Sequence, residues 1–162
     1  MSKDPAPLTF VAATNADLQQ VLGWFASARD LLYWGGPDLT FPPELNRFKQ
    51  QSKYHKSHSH VLRLGHEVVA FGQFYNRLER CHLGRLAVSP KHRGQRLGEQ
   101  LIEQLLRQGH QQLNLAEASL FVLNDNRPAM RLYRRMGFVE RPYPKPIPLP
   151  NCVYMIRPEK PA

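Results

Sequence analysis

Two stretches of this 162-residue chain bring together residue types suited to chemistry: a basic, glycine-containing turn that suits an anion, and a helix that carries an amide and a phenol. The first is Leu86-Ala87-Val88-Ser89-Pro90-Lys91-His92-Arg93-Gly94-Gln95-Arg96-Leu97-Gly98, which reads as a strand, a basic glycine-containing turn and the start of a helix. A helix N-terminus gathers unpaired N–H groups and a partial positive charge, so this turn suits phosphate-like groups. The second is Asn126-Arg127-Pro128-Ala129-Met130-Arg131-Leu132-Tyr133-Arg134-Arg135-Met136-Gly137-Phe138, which reads as a helix. Asn126, Met130 and Tyr133 are four and three residues apart and share one face of it. That face therefore carries a polar amide and a phenol. Taken alone, Asn126 also reads as an N-cap, and Leu132, Tyr133 and Phe138 as core residues.

The surrounding pattern supplies the elements that would position them. Leu8–Ala12 reads as a first strand. Thr14 or Asn15 caps a following helix, with Leu18, Val21, Leu22 and Phe25 on one face. Leu31-Leu32-Tyr33-Trp34-Gly35-Gly36-Pro37 reads as an aromatic turn, and Pro42-Pro43-Glu44 opens a helix with Leu45 and Phe48 inward. His60–Leu64 and Val68–Tyr75 form a hairpin around Gly65-His66-Glu67, and Cys81–Val88 is a fourth strand. Leu97, Leu101, Ile102, Leu105 and Leu106 make a helical stripe that Gly109 is expected to end. Ser119–Leu123 is a fifth strand, Pro128–Met136 a helix with Gly137 as its C-terminal cap, and Cys152–Ile156 a last strand after the proline-rich loop Arg141–Pro150. The strand–helix–strand order from Leu83 to Leu123 predicts a right-handed crossover. The expected fold is therefore α/β (α+β): a mixed central sheet of about six to seven strands flanked by about four helices, in one domain spanning 1–162.

The two motifs in this order closely resemble the acetyl-CoA-binding core of the GCN5-related N-acetyltransferase (GNAT) family. The run Asn-x-x-Ala-x-x-Leu-Tyr-x-x-x-Gly-Phe is matched at Asn126, Ala129, Leu132, Tyr133, Gly137 and Phe138. The family's phosphate signature is Gln or Arg, two free positions, Gly, one free position, then Gly or Ala. Arg93 and Gly98 fit it, while Arg96 stands at the first-glycine position, where helical backbone is expected to tolerate a side chain. The resemblance covers Leu83–Phe138 strongly and the flanks only by order. It implies that acetyl-CoA is the acyl donor. The backbone N–H groups of Arg93, Gly94, Gln95, Arg96, Leu97 and Gly98 would hold the pyrophosphate, and Leu86, Ala87 and Val88 would pair with the pantetheine arm. Asn126 and Tyr133 would complete the cofactor site, with Tyr133 as general acid toward the leaving thiolate and a backbone N–H near Val88 as oxyanion donor. The implied reaction is acetyl transfer to a primary amine of a small molecule or peptide by direct attack.

No general base stands out. Many relatives carry a glutamate on the fourth strand, but here it reads Cys81-His82-Leu83-Gly84-Arg85-Leu86. His82 titrates near neutrality when unperturbed, and Glu79 and Asp30 could act through water. Asp30, Tyr33 and Trp34 lie where the family places its acceptor-binding elements; a carboxylate and two rings suit an ammonium there, and the rings equally suit a covered core edge. His55, His58, His60 and His66 lack a Cys or carboxylate at zinc spacing, so no metal is expected.

Composition narrows the remaining classes. Hydrophobic residues make up 42% and charged residues 22%, as in a folded globular chain. No apolar run approaches the ~20 residues that span a bilayer, and Met1-Ser2-Lys3-Asp4-Pro5 is not a secretory leader, so no membrane partner and a cytoplasmic location are expected. Cys81 and Cys152 read as two reduced thiols. The net charge of +9 invites nucleic acid, but the basic residues are scattered and no nucleic-acid motif accompanies them, so no specific nucleic-acid partner is expected. The competing reading is a noncatalytic acyl-CoA-binding or regulatory module with the same fold; the acceptor's identity and the choice between monomer and homodimer stay open.

Overall fold

The computed structural model describes residues 7–159. Its centre is a seven-stranded mixed sheet in the order β1-β2-β3-β4-β5-β7-β6. The strands are β1 (Leu8–Ala12), β2 (His58–Leu64), β3 (Glu67–Arg77), β4 (Arg80–Val88), β5 (Ala118–Leu123), β6 (Val139–Glu140) and β7 (Cys152–Arg157). Among the described residues only β4 and β5 run parallel, joined by the crossover helix α4 (Leu97–Leu113). The other α-helices are α1 (Asn15–Leu22), α2 (Ala28–Gly35), α3 (Leu45–Gln51) and α5 (Arg127–Arg135). The strand count meets the expectation; five helices stand where about four were expected, and the two-residue β6 adds an edge that the sequence did not signal.

Each face of the sheet carries its own core. Leu97, Leu101, Ile102, Leu105 and Leu106 of α4 pack with Phe74, Leu83, Leu120 and Met155 on one face. Leu18, Val21 and Leu22 of α1 and Phe48 of α3 pack with Val61, Val68 and Phe71 on the other. Thr14 caps α1 in a reciprocal box with Asp17, whose carboxylate also sits 3.5 Å from Arg63. The α5 helix ends in a Schellman turn: Gly137 is at φ +96°, and the Phe138 N–H reaches back 2.9 Å to the Tyr133 carbonyl.

Three local expectations are corrected. Residues 28–35 form α2 rather than an aromatic turn: the Ser27 hydroxyl accepts the Asp30 N–H at 3.1 Å, Leu31 is buried, and Gly36 at φ +96° stops the helix. Gly109 does not end α4. It is buried within the helix, where an added Cβ would lie 2.4 Å from Cys81 Sγ and 3.4 Å from the Phe74 ring, and Asn114 in the left-handed region makes the true cap. Phe25 lies beyond the end of α1, because Gly23 caps that helix.

Candidate active-site cleft

The sheet comes apart where the site lies. Parallel pairing of β4 with β5 covers only Cys81–Leu83 against Ala118–Leu120. Beyond Leu83, β4 stays paired with β3 alone. A bulge there sets Arg85 and Leu86 against Gly72, with Arg85 at φ 47°. Gly72 has no room for a side chain, since a Cβ would meet Leu105 Cδ1 at 2.6 Å and Leu86 Cδ2 at 2.8 Å. The left-handed Arg85 is strained, and it is fastened from two sides: its carbonyl accepts the Trp34 Nε1–H at 2.8 Å, and its guanidinium donates to the Gly35 carbonyl at 3.1 Å and to Gln73 Oε1 at 3.0 Å. The α2 helix is thereby tied to the point where the sheet opens.

The opening is a cleft of about 1370 Å³. Leu86, Ala87 and Val88 form one wall. The Ser89 N–H donates to the Val69 carbonyl at 2.8 Å, so alternation along the antiparallel ladder aims the Val88 N–H toward the side that β5 has left. At one end lies the basic turn. Arg93, Gly94, Arg96, Leu97 and Gly98 line the cleft, and no side chain caps the first turn of α4, whose N–H groups are free for an anion. Gln95 belongs to the same turn but does not line the cleft. Gly94 is at φ +78° with open space around it. Arg96 is the N-cap of α4 at φ 59°, ψ 23°, so the helical backbone expected there is corrected: the position is left-handed, which explains why glycine suits it better than arginine. At Gly98 a Cβ would meet Leu132 Cδ2 at 3.5 Å, an ordinary contact.

The opposite wall comes from α5. Asn126 is its N-cap, accepting the Ala129 N–H at 3.4 Å, and it faces the cleft as well; the two readings of this residue are compatible. Tyr133 lines the cleft while 9% exposed, and burial pushes its phenol up to about 12. Arg131 and Arg135 add positive charge on the same wall, the latter 3.9 Å from Glu99.

The far end is aromatic. Trp34 stacks on Phe25 at 4.3 Å and fills the core edge, yet it also lines the cleft beside Tyr33, which is 46% exposed, and exposed Asp30. His82 is 2% exposed, with Nδ1 2.8 Å from Ser119 Oγ. Burial, with the charge of Arg77 second, pushes its imidazole from 6.5 down to about 3, so it is neutral at ordinary pH. Glu79 sits away from the cleft, in the tight β3–β4 turn at φ 61°, with its N–H on Asn76 Oδ1. Tyr75, Arg85 and Phe121 line the cleft too, and sequence reading passed over all three. The available signal was strand alternation, since Gln73 and Tyr75 on β3 share a face with the paired positions Gly84 and His82 on β4.

The family model described as Acetyltransferase (GNAT) family matches residues 9–138. An uncharacterized N-acetyltransferase of Schizosaccharomyces pombe (strain 972 / ATCC 24843) is 38% identical over 76 residues, which is 46% of this chain. That match spans 45% of the relative, so the chain covers about half the length of the curated protein it resembles. Among solved structures, the ribosomal-protein-S18-alanine N-acetyltransferase from Escherichia coli superposes with a TM-score of 0.70 at 21% identity, over 96% of each chain. The spermidine N-acetyltransferase from Vibrio cholerae in complex with CoA and spermine gives a TM-score of 0.71 at 20% identity, over 92% of this chain and 94% of that one. At these identities the likeness is one of fold.

Proposed function

We propose, because the chain belongs to the acetyltransferase (GNAT) family, that it transfers the acetyl group of acetyl-CoA to a primary amine. The observation that carries this reading is the cleft itself, which runs from the uncapped N-terminus of α4, along the unpaired edge of β4, to the Tyr133 phenol. The donor set suits acetyl-CoA: free N–H groups and basic side chains at one end for phosphates, a bare strand edge for an amide-bearing arm, and a phenol beside it. When bound, acetyl-CoA would supply the activated acyl group as a thioester.

The chain's own residues would do the following. Leu97 and Gly98 N–H groups, with Arg93 and Arg96, hold the pyrophosphate. The edge of Leu86–Val88 orients the pantetheine arm by strand-like pairing. The Val88 N–H stabilises negative charge on the carbonyl oxygen as the amine attacks. Tyr133, protonated throughout the working range, donates its O–H to the leaving sulfur. His82 does not store the amine's proton, because burial leaves its nitrogen a weak base; that proton leaves through water past the exposed Asp30 at the aromatic end of the cleft.

Calorimetric titration with acetyl-CoA tests the site. One saturable site, weakened by Arg93→Ala, is the expected result. A folded sample with no binding would refute the reading.

A further inference from the structure

Resting on the transferase reading above, we propose that the acceptor is a small amino acid with an apolar side chain, and that Arg85 takes its carboxylate. Arg85 is half-buried and lines the cleft at the bulge itself, where the Trp34 indole is bonded to its carbonyl. Its two hydrogen bonds, Nε to the Gly35 carbonyl and Nη1 to Gln73 Oε1, use two of the five N–H donors of a guanidinium. Both partners are neutral. Among the described residues no ion pair involves Arg85. The carboxylate that acts on it electrostatically, Asp38, is exposed and makes no contact of ion-pair length. A guanidinium taken partly out of water keeps its full charge, and a carboxylate is the partner whose planar geometry matches its fork.

The rest of this end agrees. Arg77 lies over the Phe121 and Tyr75 rings at 5.3 and 5.4 Å and is held by the hydroxyls of Tyr75 and Tyr143, again with no carboxylate partner among the described residues. Arg77 does not line the cleft itself, but it stands against the Tyr75 and Phe121 rings that do, and together with Arg85 it opposes an acceptor that carries several ammonium groups. Asp30, one helical turn before Tyr33 on α2, is an exposed carboxylate that lines the cleft; it suits a single incoming ammonium. The stacked pair Phe25 and Trp34, with Tyr33, offers an apolar surface for the side chain. An amine, a carboxylate and an apolar body on one small molecule satisfy all three features together.

The test measures thiol release from acetyl-CoA with phenylalanine, leucine and methionine as acceptors, beside the amide and the decarboxylated amine of each, and spermidine. At least one of the amino acids is expected to show a kcat/KM 10-fold or more above its amide and decarboxylated counterparts, and above spermidine. In Arg85→Gln that ratio is expected to fall to near one, mainly through KM, while acetyl-CoA binding measured by calorimetry persists. A purely structural role would instead lower all acceptors together. If Arg85→Gln does not fold, the wild-type ratio decides, and Arg85→Lys, which keeps the charge, is expected to retain part of it. Preference for the amide or for spermidine, a ratio that survives Arg85→Gln, or acetyl-CoA binding with no amino-acid turnover overturns the acceptor assignment alone. Absence of acetyl-CoA binding removes the transferase reading as well.

Discussion

The buried His82 makes the stability of this protein depend on pH in a defined direction. Its imidazole is held near a pKa of about 3 in the folded chain and returns to 6.5 on unfolding. Between those values the unfolded chain binds a proton that the folded chain refuses, so stability rises with pH. The contribution is fully present above 6.5 and is lost progressively as pH falls toward 3. From pH 6.5 to 4.5 the loss amounts to roughly 2–3 kcal/mol, at about 1.4 kcal/mol per unit. For a chain of this size that is a fall in Tm of roughly 5–10 °C. His60, pushed below 6.5 by burial with His58 second, acts in the same direction, so the wild-type slope alone does not isolate His82. The perturbation is His82→Asn, which keeps a polar atom near Ser119 Oγ and cannot titrate. Thermal melts of both proteins across this pH range should diverge, with the variant losing less as pH drops. Parallel curves from 6.5 to 4.5 would refute the reasoning.

Three further outcomes are expected. Tyr133→Phe should lower turnover by roughly 10²-fold or more while acetyl-CoA still binds; unchanged turnover in steady-state assays would remove the phenol from the chemistry. Gly109→Ala should destabilise by about 1–2 kcal/mol despite the better helix former, because the new Cβ runs into Cys81 Sγ at 2.4 Å, and adding Cys81→Ala should recover part of that loss in denaturant melts. Arg96→Gly should relieve a left-handed arginine and leave Tm within a few degrees of wild type, yet weaken acetyl-CoA binding most at low salt; affinity independent of salt in both proteins would show that the guanidinium does not face the phosphates.

The parts of the molecule legible in the sequence are those specified by neighbours along the chain. The α4 stripe from Leu97 to Leu106 repeats at helical spacing, and it is buried as that spacing implies. The basic turn before α4 and the Tyr133 helix are contiguous stretches, and the structure brings both to one cleft. The local pattern misleads where a distant partner decides. Gly109 looked like a helix end because glycine is the usual stop signal, but the residue answers to Cys81 and Phe74 on the sheet beneath it. Residues 31–37 looked like a turn because Gly35, Gly36 and Pro37 are breakers, yet Ser27 had already started a short helix ahead of them. The aromatic end of the cleft is the hardest part to read. Tyr75 and Phe121 are ordinary strand aromatics until the register places both beside His82, at ring distances of 5.3 and 5.0 Å.

The short β4–β5 seam makes the sheet two plates. β1 to β4 form one and β5, β7 and β6 the other, and the only ladder between them is three residues long on each strand. A torque applied to either plate concentrates at Cys81–Leu83, with α4 as the brace across one side. A chain of amides laid along Leu86–Val88 would lengthen that seam from within. The protein would then be stiffest when occupied, its sheet finished by a strand that its own sequence does not encode.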